Sequence, residues 1–271
     1  MAKPRPYWHV DLKWVGALAL ATGLAVTLPV AALYRATSGR TGPRVVAAVL
    51  AGMTSPAGLD SDGGVAEMRA RVHRTGSETL DVGGVPVVLT VADLDTLSPR
   101  ELRLKVFGAF AERFYDVGPA RMAAAREADA GRAETDATFL RPFTRDGHRR
   151  LGTILLVLLA VDLALAVPVV LFSRRFGRLV SPGLTLVLVA LPGPLFWAVS
   201  TQQPDSTGRV SALVAGVLPL LSREFATTYL VVLLAGTVLL VAAWVGKLVW
   251  YLRRPATTPA AAAVEAAAPV E

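Results

Sequence analysis

One carboxylate stands where charge is expensive. Asp162 lies near the middle of "LGTILLVLLAVDLALAVPVVLF", residues 151–172, and no other acidic residue falls within any of the long apolar runs. Placing a carboxylate at that depth costs at least ~2.5 kcal/mol on insertion scales. It must therefore face other helices or water, where it can hold a proton or cation, pair with a second subunit, or accept a hydrogen bond from a neighbouring helix. Thr22, Thr27, Thr185 and Thr237 sit at similar depth and carry hydroxyls suited to the last role. No basic residue lies near the middle of any run to complete a relay, Lys247 standing at the end of the fourth, so structure or assembly is the favoured expectation over ion handling.

The third apolar run is broken twice, by Ser181–Pro182–Gly183 near one end and by Pro192–Gly193–Pro194 near the other. Breaks of this kind are tolerated in a membrane only where other helices or water satisfy the freed backbone groups. Pro182, Pro192 and Pro194 are accordingly candidates for a bent helix beside a pathway, or for a static kink.

Other constellations carry less chemistry. The chain has no phosphate-binding G-x-x-x-x-G-K-[ST], no G-x-G-x-x-G after a strand, no H-E-x-x-H and no G-x-S-x-G. His9, His73 and His148 are far apart, and there is no cysteine, which argues against a metal centre, a thiol nucleophile and a disulfide framework. "DSDGG", 60–64, resembles the start of a calcium loop, but position twelve is Arg71 instead of glutamate, so a helix cap is the expectation. Asp93 and Asp95 in "ADLD" fit a turn ahead of a helix. No catalytic residue, metal or cofactor is assigned.

The elements that hold Asp162 are membrane spans. The chain of 271 residues is 53% hydrophobic and 18% charged, against about one quarter charged in a soluble domain. Apolar runs at 15–34, 151–172, 179–200 and 226–249, charged only at Asp162 and Lys247, each match the ~20 residues that cross a bilayer. The first is too long for a signal-peptide core and has no clean small-x-small site behind it. "VSALVAGVLPLL", 210–221, is only about a dozen residues and contains Pro219. Its length predicts a helix lying at the interface within a 201–225 loop. Ala17, Ala21, Ala25, Ala242 and Gly246 supply close-packing faces.

Four spans put both termini on one side. Lys3, Arg5 and Lys13 precede the first span, Arg174, Arg175 and Arg178 join the second to the third, and Lys247 ends the fourth with Arg253 and Arg254 after it. Positive charge in short loops marks the cytoplasmic side, whereas arginines flanking a long loop count for little. The expected topology has a cytoplasmic 1–14 segment, a cytoplasmic low-complexity tail at 250–271, and residues 35–150 outside. Ala, Val and Arg richness fits a GC-rich bacterial genome, hence a plasma membrane. Segment 35–150 holds 17 Arg and Lys against 15 Asp and Glu, only +2 of the chain's +7. The remaining positive charge flanks apolar runs, which argues against a nucleic-acid partner and for membrane lipid.

The outer segment reads as a small α+β domain. Helices are expected at 43–53, behind an aspartate cap at 60–74, at 99–117 behind a Ser98/Glu101 capping box, and at 120–131. Residues 77–91 contain two β-like runs around Gly83–Gly84, a hairpin turn. "FLRPF", 139–143, is expected to dock on the membrane surface. Phe107, Phe110 and Phe114 recur on one helical face, and core packing is their first explanation; a partner surface is the sharper one.

The fold class expected is a membrane α-helical bundle of four transmembrane helices, with this α+β domain between helices 1 and 2. The topology resembles that of some ABC-type permease subunits, a likeness of arrangement alone. A non-enzymatic tetraspan scaffold or accessory subunit, binding a protein partner or envelope component outside, accounts best for the absent catalytic cluster. A transport component using Asp162 and the broken third helix is the alternative, and an integral membrane enzyme the third reading.

Overall fold

The computed structural model describes residues 8–55, 58–62, 64–119, 138–173, 177–201 and 209–253. The expected helix at 120–131, the tail from residue 254, and Lys3, Arg5, Arg174 and Arg175 lie outside the described residues. Four helical stretches are long and apolar enough to cross a membrane: Trp14–Ala36, Arg145–Leu171, Gly177–Thr201 and Leu213–Leu252. They belong to α1 (Trp8–Ala36), α6 (Arg145–Leu171), α7 with α8 (Gly177–Ala190, Gly193–Thr201) and α9 (Arg209–Leu252). Large apolar side chains such as Leu156, Leu163, Leu234 and Trp244 point outward from the bundle. That is the reverse of a water-soluble bundle and suits a lipid solvent.

The long helices pack as two pairs. α1 lies along α6, and α9 carries both α7 and α8. Gly183 and Gly236 set the second pair: a Cβ on Gly236 would stand 2.9 Å from the Gly183 carbonyl oxygen, so only glycines allow this approach. The third span is two helices, parted at Leu191–Pro192. Pro192 and Pro194 bring no N–H, and Leu195 and Phe196 restart the bonding by donating to the Pro192 carbonyl at 3.1 Å. Gly193 lies against Tyr229, where a Cβ would come within 2.8 Å of the tyrosine's own Cβ. Phe196 packs on Phe225 and Tyr229 with centroids 5.3 and 5.4 Å apart.

The expected interfacial helix at 210–221 is instead continuous with the fourth span. α9 runs unbroken for 44 residues, about 66 Å at 1.5 Å per residue, twice a hydrocarbon core. Its first half is the core of the α+β unit. α2 (Gly42–Thr54) lies on it through Gly52, where a Cβ would be 2.7 Å from Leu213 Cα, and through Gly216, where one would be 3.3 Å from the Ala48 carbonyl oxygen. Leu213, Val217, Leu220 and Leu221 join Val45, Val46, Val49, Ala111, Phe114 and Leu140 in one apolar cluster. Burial in protein, not the bilayer surface, accounts for the apolar character that suggested an interfacial helix. Pro219 leaves the Ala215 carbonyl without its helical donor, and Arg100 Nη2 donates to that oxygen at 3.0 Å.

α5 (Pro99–Val117) joins this cluster to a second one. Ser98 and Glu101 form the expected capping box, with the Ser98 N–H donating to Glu101 Oε2 at 2.9 Å. The opposite side of α5 meets α3 (Val65–Thr75), α4 (Val91–Thr96) and the hairpin, burying Val65, Val72, Val87, Leu89, Leu94 and Leu102. Strands β1 (Ser77–Val82) and β2 (Val85–Thr90) pair antiparallel, with Val82 opposite Val85. Gly83 and Gly84 have φ of 66° and 83°, the left-handed pair a two-residue turn requires. The ring of Phe110 covers Gly83 so closely that no Cβ would fit. α3 starts later than expected, at Val65 behind Gly64, with no side-chain cap.

Asp93 is more than a turn residue. It is the third residue of α4 in a second capping box, taking the Thr90 N–H at 3.1 Å and its hydroxyl at 2.9 Å, and it also accepts from Lys105 of α5. Lys105, then the two Thr90 donors, hold its carboxyl down at about 2 from an ordinary 3.8. A depressed carboxyl stabilises the fold above the unfolded value and loses that contribution as pH falls toward 2. Melting of the wild type should therefore decline between pH 4 and pH 2 more steeply than melting of Asp93→Asn, as read by circular dichroism. Gly52→Ala should lower stability by about 1–3 kcal/mol through overpacking on Leu213, although alanine favours an exposed helix. A raised melting temperature would contradict the close approach of α2 and α9.

Candidate functional site

The seam between α1 and α6 is built on sevenfold spacing. Gly16 faces Val169 and Gly23 faces Asp162, so an antiparallel pair meets through one small residue per two turns. Of the four threonines considered for Asp162, Thr27 is the partner: its hydroxyl donates to Asp162 Oδ2 at 2.6 Å. Thr22, Thr185 and Thr237 donate to carbonyls of their own helices, at Leu18, Ser181 and Leu233. Thr27 is 2% exposed and Asp162 6%. Asp162 Oδ1 has no hydrogen-bond partner among the described residues and lies directly against Gly23, leaving no room for a Cβ there. The carboxyl is thus clamped in a helix–helix contact.

The other sequence candidates are distributed differently. Pro182 lies within the continuous α7 next to the Gly183 contact, so the break expected at 181–183 does not occur, while Pro192 and Pro194 flank the Gly193 contact where the span does part; both glycine contacts are made with α9. The phenylalanine face is taken up inside the chain. Phe114 is buried, Phe107 and Phe110 pack against the same cluster, and Phe110 also covers the hairpin turn. In the loop resembling a calcium site, the carbonyls of Gly58, Leu59 and Ser61 accept from the guanidinium of Arg103. Burial lowers the pKa of that guanidinium, partly opposed by the charges of Asp60 and Asp62. An arginine of α5 therefore ties this loop to the helix through its backbone carbonyls. His73 lies 3.4 Å from Asp95, and no group of three metal-ligating side chains occurs among the described residues.

A site that the sequence did not single out forms where α1, α2, α6 and α9 meet. A cleft of about 580 Å³ is lined by Arg35, Arg40, Arg44 and Arg223, by Glu224, and by the hydroxyls of Ser38, Thr41 and Thr227. Its wall is well ordered by local bonding. Tyr34 stacks on His148 with centroids 4.2 Å apart, and Thr37 Oγ1 lies 3.1 Å from His148 Nδ1. The turn after α1 is closed by Thr41 N–H and Gly42 N–H donating to the Ser38 carbonyl at 3.1 and 2.7 Å. Tyr115 of α5 packs behind it against Gly39 and Gly42, and burial pushes its phenol pKa up.

Within the cleft, charge is unbalanced. Glu224 takes Arg35 Nε at 3.2 Å and the Thr41 hydroxyl at 3.4 Å. Arg40, Arg44 and Arg223 are exposed and make no ion pair among the described residues. Thr41 precedes α2 yet spends its hydroxyl on Glu224, so the N-terminus of α2 has no side-chain cap and adds its own positive potential. In the sequence these arginines look like span flanks; their only local signal is the Arg223–Glu224 pair inside an otherwise apolar stretch.

Comparison with family models, curated proteins and solved structures yields no match. The clamp makes a direct prediction. Gly23→Ala should lower the melting temperature in detergent by forcing Asp162 out of the seam, and Asp162→Ala should restore it. Thr27→Val should couple to Asp162→Leu by about 1 kcal/mol in a double-mutant cycle, the scale of intramembrane hydrogen bonds. Strictly additive losses would place the two side chains apart.

Proposed function

We propose that the protein is a non-enzymatic tetraspan scaffold or accessory subunit, whose bundle mounts the α+β domain rigidly at the membrane for a protein partner or envelope component. The observation that carries this reading is the continuity of α9, which is at once a membrane-length helix and a core column of the domain. A domain tethered by a flexible loop can reorient; one sharing a helix with its anchor holds a fixed height and direction. The domain is assigned to the extracytoplasmic side of a bacterial plasma membrane, with both termini cytoplasmic, on the charge of the short loops.

A transport component is the second reading, and the unpartnered Asp162 Oδ1 is the observation that favours it. The clamp between Thr27 and Gly23 supports the structural role instead. Asp162→Asn keeps an acceptor for Thr27, so the scaffold reading expects normal abundance and an unchanged set of bound proteins. Loss of a transport phenotype at normal abundance would support the rival.

The first test is purification from membranes in mild detergent, with quantitative mass spectrometry of stoichiometric companions. An envelope or surface protein retained at equal stoichiometry is the expected result, and a transport ATPase would overturn the scaffold reading. Ser77 is exposed at the start of β1. A Ser77→Cys protein, otherwise free of cysteine, should react with a membrane-impermeant maleimide in intact cells. Labelling only after lysis would invert the topology.

A further inference from the structure

The arginine cleft lies at a definite level of the bundle. The apolar run of α1 ends at Tyr34, just before Arg35; that of α6 begins at Leu151, after Arg149 and Arg150; that of α9 begins at Phe225, after Glu224. The cleft draws Tyr34 and Arg35, His148, and Arg223, Glu224 and Thr227 from these three ends. It therefore straddles the plane where hydrocarbon gives way to headgroups, whichever side that plane faces. Three guanidiniums there have no carboxylate among the described residues, and the single carboxylate present is already held by Arg35 and Thr41. Guanidinium forks match phosphate oxygens in geometry as well as charge. Ser38 adds a neutral hydroxyl, and the volume is that of a small-molecule site.

We infer that this cleft binds the phosphate headgroup of an anionic membrane lipid, with Arg40, Arg44 and Arg223 as its ligands. Free phosphate shares the chemistry, but the position at the ends of three apolar runs favours a phosphate delivered by the bilayer. Such a site would lock the turn between α1 and α2 to α9. This inference is independent of the scaffold reading and of the orientation.

The test uses the full chain in nonionic detergent, with dioleoyl-phosphatidylglycerol and dioleoyl-phosphatidylcholine added equally and retention read by native mass spectrometry. The wild type should retain the anionic phosphatidylglycerol at least about tenfold better, the scale of one or more charged hydrogen bonds. Arg40→Gln/Arg44→Gln/Arg223→Gln should lose the preference. The charge-matched control Arg145→Gln/Arg149→Gln/Arg150→Gln should keep it. Equal retention of the two lipids by the wild type, or a preference surviving in the cleft variant, would overturn the site. Equal loss in both variants would reduce it to general attraction between a basic protein and an acidic lipid. Inorganic phosphate displacing the lipid at equal concentration would overturn the membrane source. The wild-type comparison needs no variant, and the substituted cleft arginines are all exposed, which preserves folding.

Discussion

One helix imposes order on the rest of the molecule. α9 is about twice as long as a bilayer core requires, and it packs against different neighbours in its two halves. Near its start it meets α2 almost backbone to backbone; farther along it receives the broken third span at Tyr229 and Gly236. Each meeting depends on glycine, because a Cβ at Gly52, Gly193 or Gly236 would stand under 3.0 Å from a neighbouring atom. The single irregularity, Pro219, is met by Arg100, which donates to the carbonyl the proline leaves bare. A helix of the domain thus repairs a helix that also crosses the bundle.

The same logic of satisfying polar groups internally governs the α1–α6 seam. Two packed apolar helices in lipid gain little from hydrophobic burial, so close approach and hydrogen bonding must hold them. Asp162 and Thr27 provide the bond, and Gly16 and Gly23 provide the approach. The carboxyl is a specificity device as much as an adhesive: only one register of α1 on α6 places a hydroxyl and a glycine beside it.

The charged cleft belongs to the junction between these two systems. Arg35 and Arg44 are nine residues apart in sequence and 188 and 179 from Arg223, yet the tight turn after α1 and the long reach of α9 place them around one space. This grouping gives the arginines a local role that a count of loop charges misses. It also explains why Glu224 is present in an apolar stretch: Arg35 and Thr41 hold it.

Much of the fold is legible in the residues themselves. Apolar run length identifies four spans, the Ser98/Glu101 spacing identifies the start of α5, and Gly83–Gly84 identifies the hairpin, because each rests on local backbone or solvation physics. Asp162 and its threonine candidates were also readable, since a carboxylate in an apolar run needs a partner. Choosing Thr27 among four threonines required the register of α1 on α6. The continuity of 210–221 with the fourth span was hidden for a related reason: an apolar stretch reads alike whether lipid or protein covers it, and here α2 and α5 do. The cleft was hidden most completely. Its residues come from four helices, and no local rule relates Arg40 to Arg223. Sequence alone determined the solvent each segment requires and the ends of its regular elements; tertiary packing decided which polar groups meet, because such meetings depend on distances between chain segments that local propensity does not encode.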